Sequence, residues 1–486
     1  MIRIFSFIIL SILAFESFGQ RLESAQLLRT FSTADISQLA NGFPVLFEVD
    51  VYKVRYFTPD EAGVDKIASG MLAIPQDASL AFPLACLQHG TVAGREDVPS
   101  RLLGGYSTGV ILAGLGYVSV MPDYVGLGDS PGIHLYVHAE TEASAGRDLL
   151  RAARELEDDE NFPVFHLNDQ VFVSGYSQGG HAAMALHRML ETNFSNEFNV
   201  TASAPMSGPY SISEKMKEFT LGDDDYGTVA YIAWVILSYQ RAYPSTVGQI
   251  TLEEIFKPEY LDNIIAFKNE NINLWTLNSR LTTSLLNNVG SVTPKDLLLP
   301  DVLNSYLTDP THPLSVASAE NDTYDWTPQA PTNLYHCVGD EQVVFENAIL
   351  AENVMTANGS TSVKSIRIDS DNNLLDHGGC VPGASTSTIL FFNSFQEITP
   401  VSNTVVDDPL VQVYYHNNIL NVNIPNERKE NLNRLMVYSM NGVLLLNRDL
   451  DERKTQEDVS ELSQGMYWVL LSDSHGVFKS QKIIKL

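Results

Sequence analysis

Cysteine is scarce: three occur in 486 residues, Cys86, Cys337 and Cys380. No Cys-x-x-Cys pair is present, nor a His-Glu-x-x-His helix, a glycine-rich phosphate loop or a heptad run. A thiol redox centre, a zinc finger and a coiled coil are therefore excluded as the organising feature, and no metal or cofactor is expected. Positive charge is also in short supply, with 30 Lys and Arg against 59 Asp and Glu, a net charge of −29. Residues 1–400 carry −27 of this and residues 401–486 carry −2. Such a surface repels nucleic acid and anionic membranes and keeps a chain soluble. Long apolar runs are missing apart from the N-terminus "MIRIFSFIILSILAFESFGQ". Arg3, the apolar stretch 5–15 and the small residues near 17–19 have the form of an export signal over 1–19, too short for a transmembrane segment.

What is there is apolar enough to fold: hydrophobic residues make up 44% and charged ones 18%. The length calls for more than one domain. Residues 45–75 alternate apolar and polar, as paired edge strands do. From 83 to 210 strands and helices then take turns, with strands at 83–90, 117–126, 169–177 and 201–210 and helices at 107–116, 140–160 (with a clear polar face) and 179–191. Alternation of this kind predicts a mostly parallel sheet with helices on both faces, and ligands beyond the carboxyl ends of its strands. Residues 211–328 interrupt it with helical pieces and an acidic turn, "GDDDYG". They are expected to form a helical cap over a pocket. In the very apolar helix 228–240, Tyr231, Trp234, Val235 and Leu237 are expected to line an acyl site. Strand, loop and helix resume at 332–359, and 363–370 is a last strand. After a polar linker at 401–409, residues 410–486 alternate around Asn441-Gly442 and His475-Gly476, which predicts a small β-sandwich.

Two segments fit Gly-x-Ser-x-Gly, "GYSTG" at 105–109 and "GYSQG" at 175–179. Ser177 follows the β-branched run Val171-Phe172-Val173 and opens an alanine-rich helix, the strand–turn–helix context that a nucleophilic serine needs. Ser107 has no strand before it and reads as a helix N-cap. A serine needs a histidine to take its proton and a carboxylate to orient that histidine, in the chain order serine, acid, histidine. His377 is expected in a loop after the last strand. Asp340 follows the strand "LYHCVG" and is the expected acid, with Glu341 its rival. Asp376 adjoins His377 and is badly placed to bond the ring. His181 and His187 precede every candidate acid and are expected in core or surface roles. Oxyanion donors should be the backbone N–H groups of Gln178 and Thr91, with Asp97 a contributor if protonated. Cys337 and Cys380 each stand three residues from a triad candidate and could form a disulfide, leaving Cys86 as a buried thiol.

The segments "QHGT", "PDYVGLGDS", "GYSQGG", "SGPY", "VGDEQV" and "DHGGCVP" resemble, in order and spacing, the secreted α/β-hydrolases of the secretory lipase and esterase group. The resemblance spans roughly 40–395 and implies the triad Ser177, Asp340 and His377. The tail, with "DVSELSQGMYWV" and the closing "KIIKL", resembles the C-terminal sorting domain of Por-type (type IX) secretion. Together these imply an exported serine hydrolase, its substrate a small-molecule or lipid ester and its other partner the secretion machinery. A serine peptidase of the same fold and a non-catalytic surface binding protein are the alternatives.

Overall fold

The computed structural model describes residues 20–42 and 44–401 and, in the tail, 412–416, 418–424, 432–439, 444–450, 454–463, 465–473 and 476–485. The expected export signal and nearly all of the linker lie outside the described residues.

Nine strands form the path of the main sheet: β1 (Leu22–Phe31), β2 (Val49–Pro59), β3 (Asp65–Pro75), β4 (Leu80–Gln88), β5 (Val118–Pro122), β6 (His166–Tyr176), β7 (Asn199–Met206), β8 (Thr332–His336) and β9 (Val363–Arg367). Their spatial order is β1-β2-β3-β5-β4-β6-β7-β8-β9. β1, β2, β3 and β5 pair antiparallel, and from β5 through β9 every pairing is parallel. A short β10 (Thr399–Pro400) closes against the start of β4. Period-two alternation splits the sheet's side chains between two cores. Leu72, Cys86 and Val173 face the helices Ala139–Glu157 and Gln178–Asn193, whereas their neighbours Met71, Ala85 and Phe172 pack with the helix Tyr106–Gly114 on the other face.

Two expectations need correction, and one strand went unforeseen. β1 was not anticipated, because a strand reading LESAQLLRTF with mostly exposed positions carries little alternation. Ser107 is not an N-cap: that position belongs to Gly105, in the left-handed region at φ 81°, and Ser107 is the helix's second residue. The expected polar face of 140–160 is largely buried. Asp148 is fully enclosed there, paired with Arg147 at 2.7 Å and Arg151 at 3.1 Å.

Between β7 and β8 the chain is helical, from the turn Ile212–Met216 to the helix Pro313–Glu320. These helices enclose a core of their own around Trp234, Leu237, Tyr260, Leu277 and Leu281. Among the described residues of the tail, seven strands make two antiparallel sheets. One holds β11 (Gln412–His416), β12 (Ile419–Asn423) and β15 (Lys454–Asp458); the other holds β13 (Leu432–Ser439), β14 (Leu444–Asp449), β16 (Gly465–Asp473) and β17 (Gly476–Lys485). Val413, Leu420 and Val422 meet Leu435, Val437, Val469 and Leu471 between them, which is the packing of a sandwich. Asn441, Gly442 and His475, expected at its turns, lie outside the described residues.

Candidate active site

Ser177 occupies the turn between β6 and the helix Gln178–Asn193 with φ 62° and ψ −125°. A non-glycine residue in this region stores strain, which the surroundings must hold in place. They do so by close backbone approach. A Cβ on Gly175 would stand 2.1 Å from the Gly179 carbonyl oxygen, and one on Gly179 only 2.0 Å from that of Gln88. The Ser177 N–H donates to Met206 O at 3.0 Å, tying the turn to β7. Gly90 lies against the same turn, its Cβ direction 3.7 Å from the Ser177 Cβ, so the loop after β4 reaches the serine.

Asp340 and His377 meet after β8 and β9. His377 Nδ1 lies 2.7 Å from Asp340 Oδ2, and both residues are buried. The other oxygen, Oδ1, accepts the N–H groups of Gln342 at 3.0 Å and Val343 at 2.9 Å. Two amide donors fix the plane of the carboxylate. Glu341, the rival acid, takes a different part: its Oε2 accepts the backbone N–H of His377 at 2.8 Å. His377 is not in a loop. It is the first residue of the helix His377–Asn393, whose N-cap, Asp376, accepts from Gly379 N–H at 2.6 Å. Tyr176, next to the serine, packs its ring 5.0 Å from the imidazole and donates its hydroxyl to His377 O at 2.6 Å. The Ser177 and His377 backbones are thus held together through one tyrosine. Cys337 and Cys380 are bonded, joining the loop that bears Asp340 to the helix that bears His377 across 43 residues. Chain entropy alone would make such a closure worth about 4 kcal/mol.

A network beneath the serine had no counterpart in the sequence reading, which left His181 to a core or surface role. The buried His134 ring is held near pKa 3 by desolvation and is neutral. Its Nδ1–H donates to Val125 O at 3.0 Å, which leaves Nε2 to accept from the Gln178 amide at 2.7 Å. The same amide donates to Glu142 Oε1 at 2.8 Å, and Glu142 Oε2 lies 2.7 Å from His181 Nδ1. His181 Nε2 in turn faces Asn321 O at 2.8 Å, at the end of the last cap helix. Gln178 is therefore anchored through its side chain, and with it the helix N-terminus where its backbone N–H lies. Thr91, the second expected donor, bonds Tyr136 OH through its hydroxyl at 2.9 Å. Asp97 is no donor: its two oxygens accept from Ala93 and Gly104 N–H at 2.9 and 3.2 Å, bracing the loop.

A cavity of about 670 Å³, its open mouth included, lies between the sheet and the cap and is lined by Ser177 and Gln178 below. Tyr231, Ile232 and Val235 line it from the cap helix Ala230–Ala242. Trp234 and Leu237 do not, because they turn into the cap's own core. Trp234 stacks on Tyr136 at 4.6 Å and meets Phe267 edge-on at 5.3 Å. Replacing Trp234 with Ala should accordingly cost about 3–5 kcal/mol of stability, read as a lower melting temperature, with an equal loss across acyl lengths. Val235→Phe, inside the cavity, should instead shift preference toward shorter chains with little change in melting.

Residues 416–486 match the secretion system C-terminal sorting domain. No curated protein matches the chain. Among solved structures, the rice cell wall degrading esterase LipA from Xanthomonas oryzae is 27% identical over 76% of this chain and 94% of its own, with a TM-score of 0.63. A Legionella pneumophila protein described as a hydrolase is 28% identical over 77% of this chain and 98% of its own, with a TM-score of 0.67. Candida antarctica lipase A in its closed state, 14% identical over 76% of this chain and 82% of its own, shares the fold at a TM-score of 0.54. The protein is thus an α/β-hydrolase in fold, similar to the esterase and the hydrolase above, and its residues 416–486 form a secretion system C-terminal sorting domain.

Proposed function

We propose that the chain is an exported serine hydrolase that cleaves carboxylic esters through an acyl-enzyme. The observation that carries this reading is the His377–Asp340 contact of 2.7 Å in a fold where Ser177 holds the strained turn at φ 62°. Asp340 keeps the proton on Nδ1, so Nε2 is the base. It takes the Ser177 proton as Oγ attacks the ester carbonyl. Negative charge then develops on the carbonyl oxygen, and the N–H groups of Gln178 and Thr91 are the proposed donors to it. His377 passes its proton to the departing alcohol, leaving the acyl group on Ser177. A water molecule, deprotonated by the same nitrogen, releases the acid and restores the serine. The apolar lining from Tyr231 and Val235 suits an acyl chain, and the likeness to LipA favours an ester over a peptide bond.

Hydrolysis of 4-nitrophenyl esters from acetyl to palmitoyl, beside aminoacyl 4-nitroanilides, tests the proposal. Turnover of esters with little on anilides is expected. Anilides cleaved as fast as esters would assign a peptidase, and no turnover with no phosphonate labelling would assign a binding protein. A chain truncated after residue 405, with residues 1–19 kept for export, should retain this turnover and lose the secretion step that the tail serves. The cut must fall beyond Val401, whose N–H bonds Ser79 O at 2.9 Å beside the β10 pairing.

A further inference from the structure

We propose that Lys217 is a specificity residue that recognises a carboxylate carried by the ester substrate, an inference that rests on the ester-hydrolase reading above. Lys217 opens the single-turn helix Lys217–Thr220 in the cap and lines the same cavity as Ser177. It is the one cation in the described lining, which includes no Asp or Glu. Elsewhere in this acidic protein, partly buried cations are typically neutralised: Lys53 by Asp129 at 2.6 Å, Arg241 by Glu61 at 3.0 Å and Arg95 by Glu270 at 2.5 Å. No carboxylate lies within ion-pairing distance of the Lys217 ammonium among the described residues. Its contacts are the Tyr306 carbonyl at a long 3.4 Å and the Tyr306 ring at 5.4 Å. An ammonium has three donors, so this one retains capacity on a wall that carries neutral polar groups such as Thr220 and Gln342 but no other charge. A partly buried charge with no counter-ion gains from an anion that approaches it from the cavity.

The surrounding charge sharpens the argument. With a net charge of −29 the surface repels free anions, but that field is screened beyond about 8 Å at physiological salt. An anionic group that enters on a larger apolar ester meets Lys217 at contact range, where a charge-assisted hydrogen bond outweighs the distant field. The carboxylate could belong to the acyl part, as in a half-ester of a dicarboxylic acid, or to the alcohol part, as in an ester of a hydroxy acid.

Two substrate pairs distinguish these sources. For the acyl part they are mono-4-nitrophenyl suberate and 4-nitrophenyl octanoate; for the alcohol part, 6-acetoxyhexanoate and hexyl acetate. The measured quantity is the kcat/KM ratio of the anionic to the neutral member, in the full chain and in Lys217→Met and Lys217→Arg. In at least one pair Lys217→Met should lower the ratio roughly tenfold, mainly through KM, and Lys217→Arg should restore most of it. Added salt should lower the wild-type ratio. Unchanged ratios in both pairs, with esters still hydrolysed, would overturn the role of Lys217 alone. A wild-type chain that hydrolyses no ester would overturn the enzyme reading and this one together.

Discussion

Ser177→Ala should reduce ester turnover by several powers of ten, while Ser107→Ala leaves it nearly intact. Removing the nucleophile leaves binding and oxyanion stabilisation alone, on the order of 10³–10⁴ over water. His377→Ala should fall to the same floor, and the double variant should be little worse, because the two side chains act in one step. Asp340→Asn should lose about 10⁴-fold through the wrong imidazole tautomer, with the fold unchanged. Ser107 offers a control on the same motif. It sits inside the first turn of the helix Tyr106–Gly114 and caps nothing, so its loss should leave the melting temperature close to that of wild type. A phosphonate probe followed by peptide mapping gives the direct reading. The label is expected on the peptide containing Ser177 and should vanish in Ser177→Ala; a label on Ser107 would reverse the assignment.

Legibility followed the kind of signal each residue carried. The alternation of strand and helix from 83 to 210 placed the parallel sheet because its buried strands are continuous apolar runs, and the Val-Phe-Val run before Ser177 put that residue at a strand–helix turn on the same grounds. Orientation around a buried helix was much less legible. Trp234, Val235 and Tyr231 belong to a helix that is apolar nearly all round, so composition could not say which side faces the cavity and which the cap core. The first turn at His377 was hidden by Gly378 and Gly379, poor helix formers; Asp376, three residues before Gly379, was the capping signal and was weighed only as an acid. Glu142, Arg147 and Asp148 looked like a solvated face because charge in sequence cannot announce its partner. The partners of Glu142, Gln178 and His181, appear only when the helices Ala139–Glu157 and Gln178–Asn193 pack side by side, whereas Asp148 pairs within its own helix with Arg147 and, one turn on, with Arg151.

The same buried polar layer should make the protein acid-labile well above the range where carboxylates titrate. Desolvation holds His134 at a pKa of about 3 and His138 at about 4 in the folded chain. In the unfolded chain each returns to about 6.5. Between pH 6.5 and 5 the unfolded state therefore binds protons that the folded state refuses, and stability falls as pH falls. Each histidine contributes about 0.7 kcal/mol per pH unit at pH 6.5, rising toward about 1.4 at lower pH, so the pair should remove about 3 kcal/mol between pH 6.5 and pH 5. Burial lowers His89 and His336 as well, which adds in the same direction. Asp123 and Asp322 are shifted upward by desolvation. They oppose this by taking up protons in the folded state, so the loss should be measured above pH 5. Urea midpoints at pH 7.5, 6.5, 5.75 and 5.0 would show it as a progressive decline that begins near 6.5. His138→Asn supplies the internal test, since asparagine suits the N-cap position that His138 holds before the helix Ala139–Glu157. Its decline from pH 6.5 to 5 should be smaller than that of wild type by about 2 kcal/mol. A wild-type stability that stays level down to pH 5 would mean that these rings are already protonated in the fold. The Nε2 of His134 would then be a donor facing the amide of Gln178, and the hydrogen-bond order beneath the serine would have to be reversed.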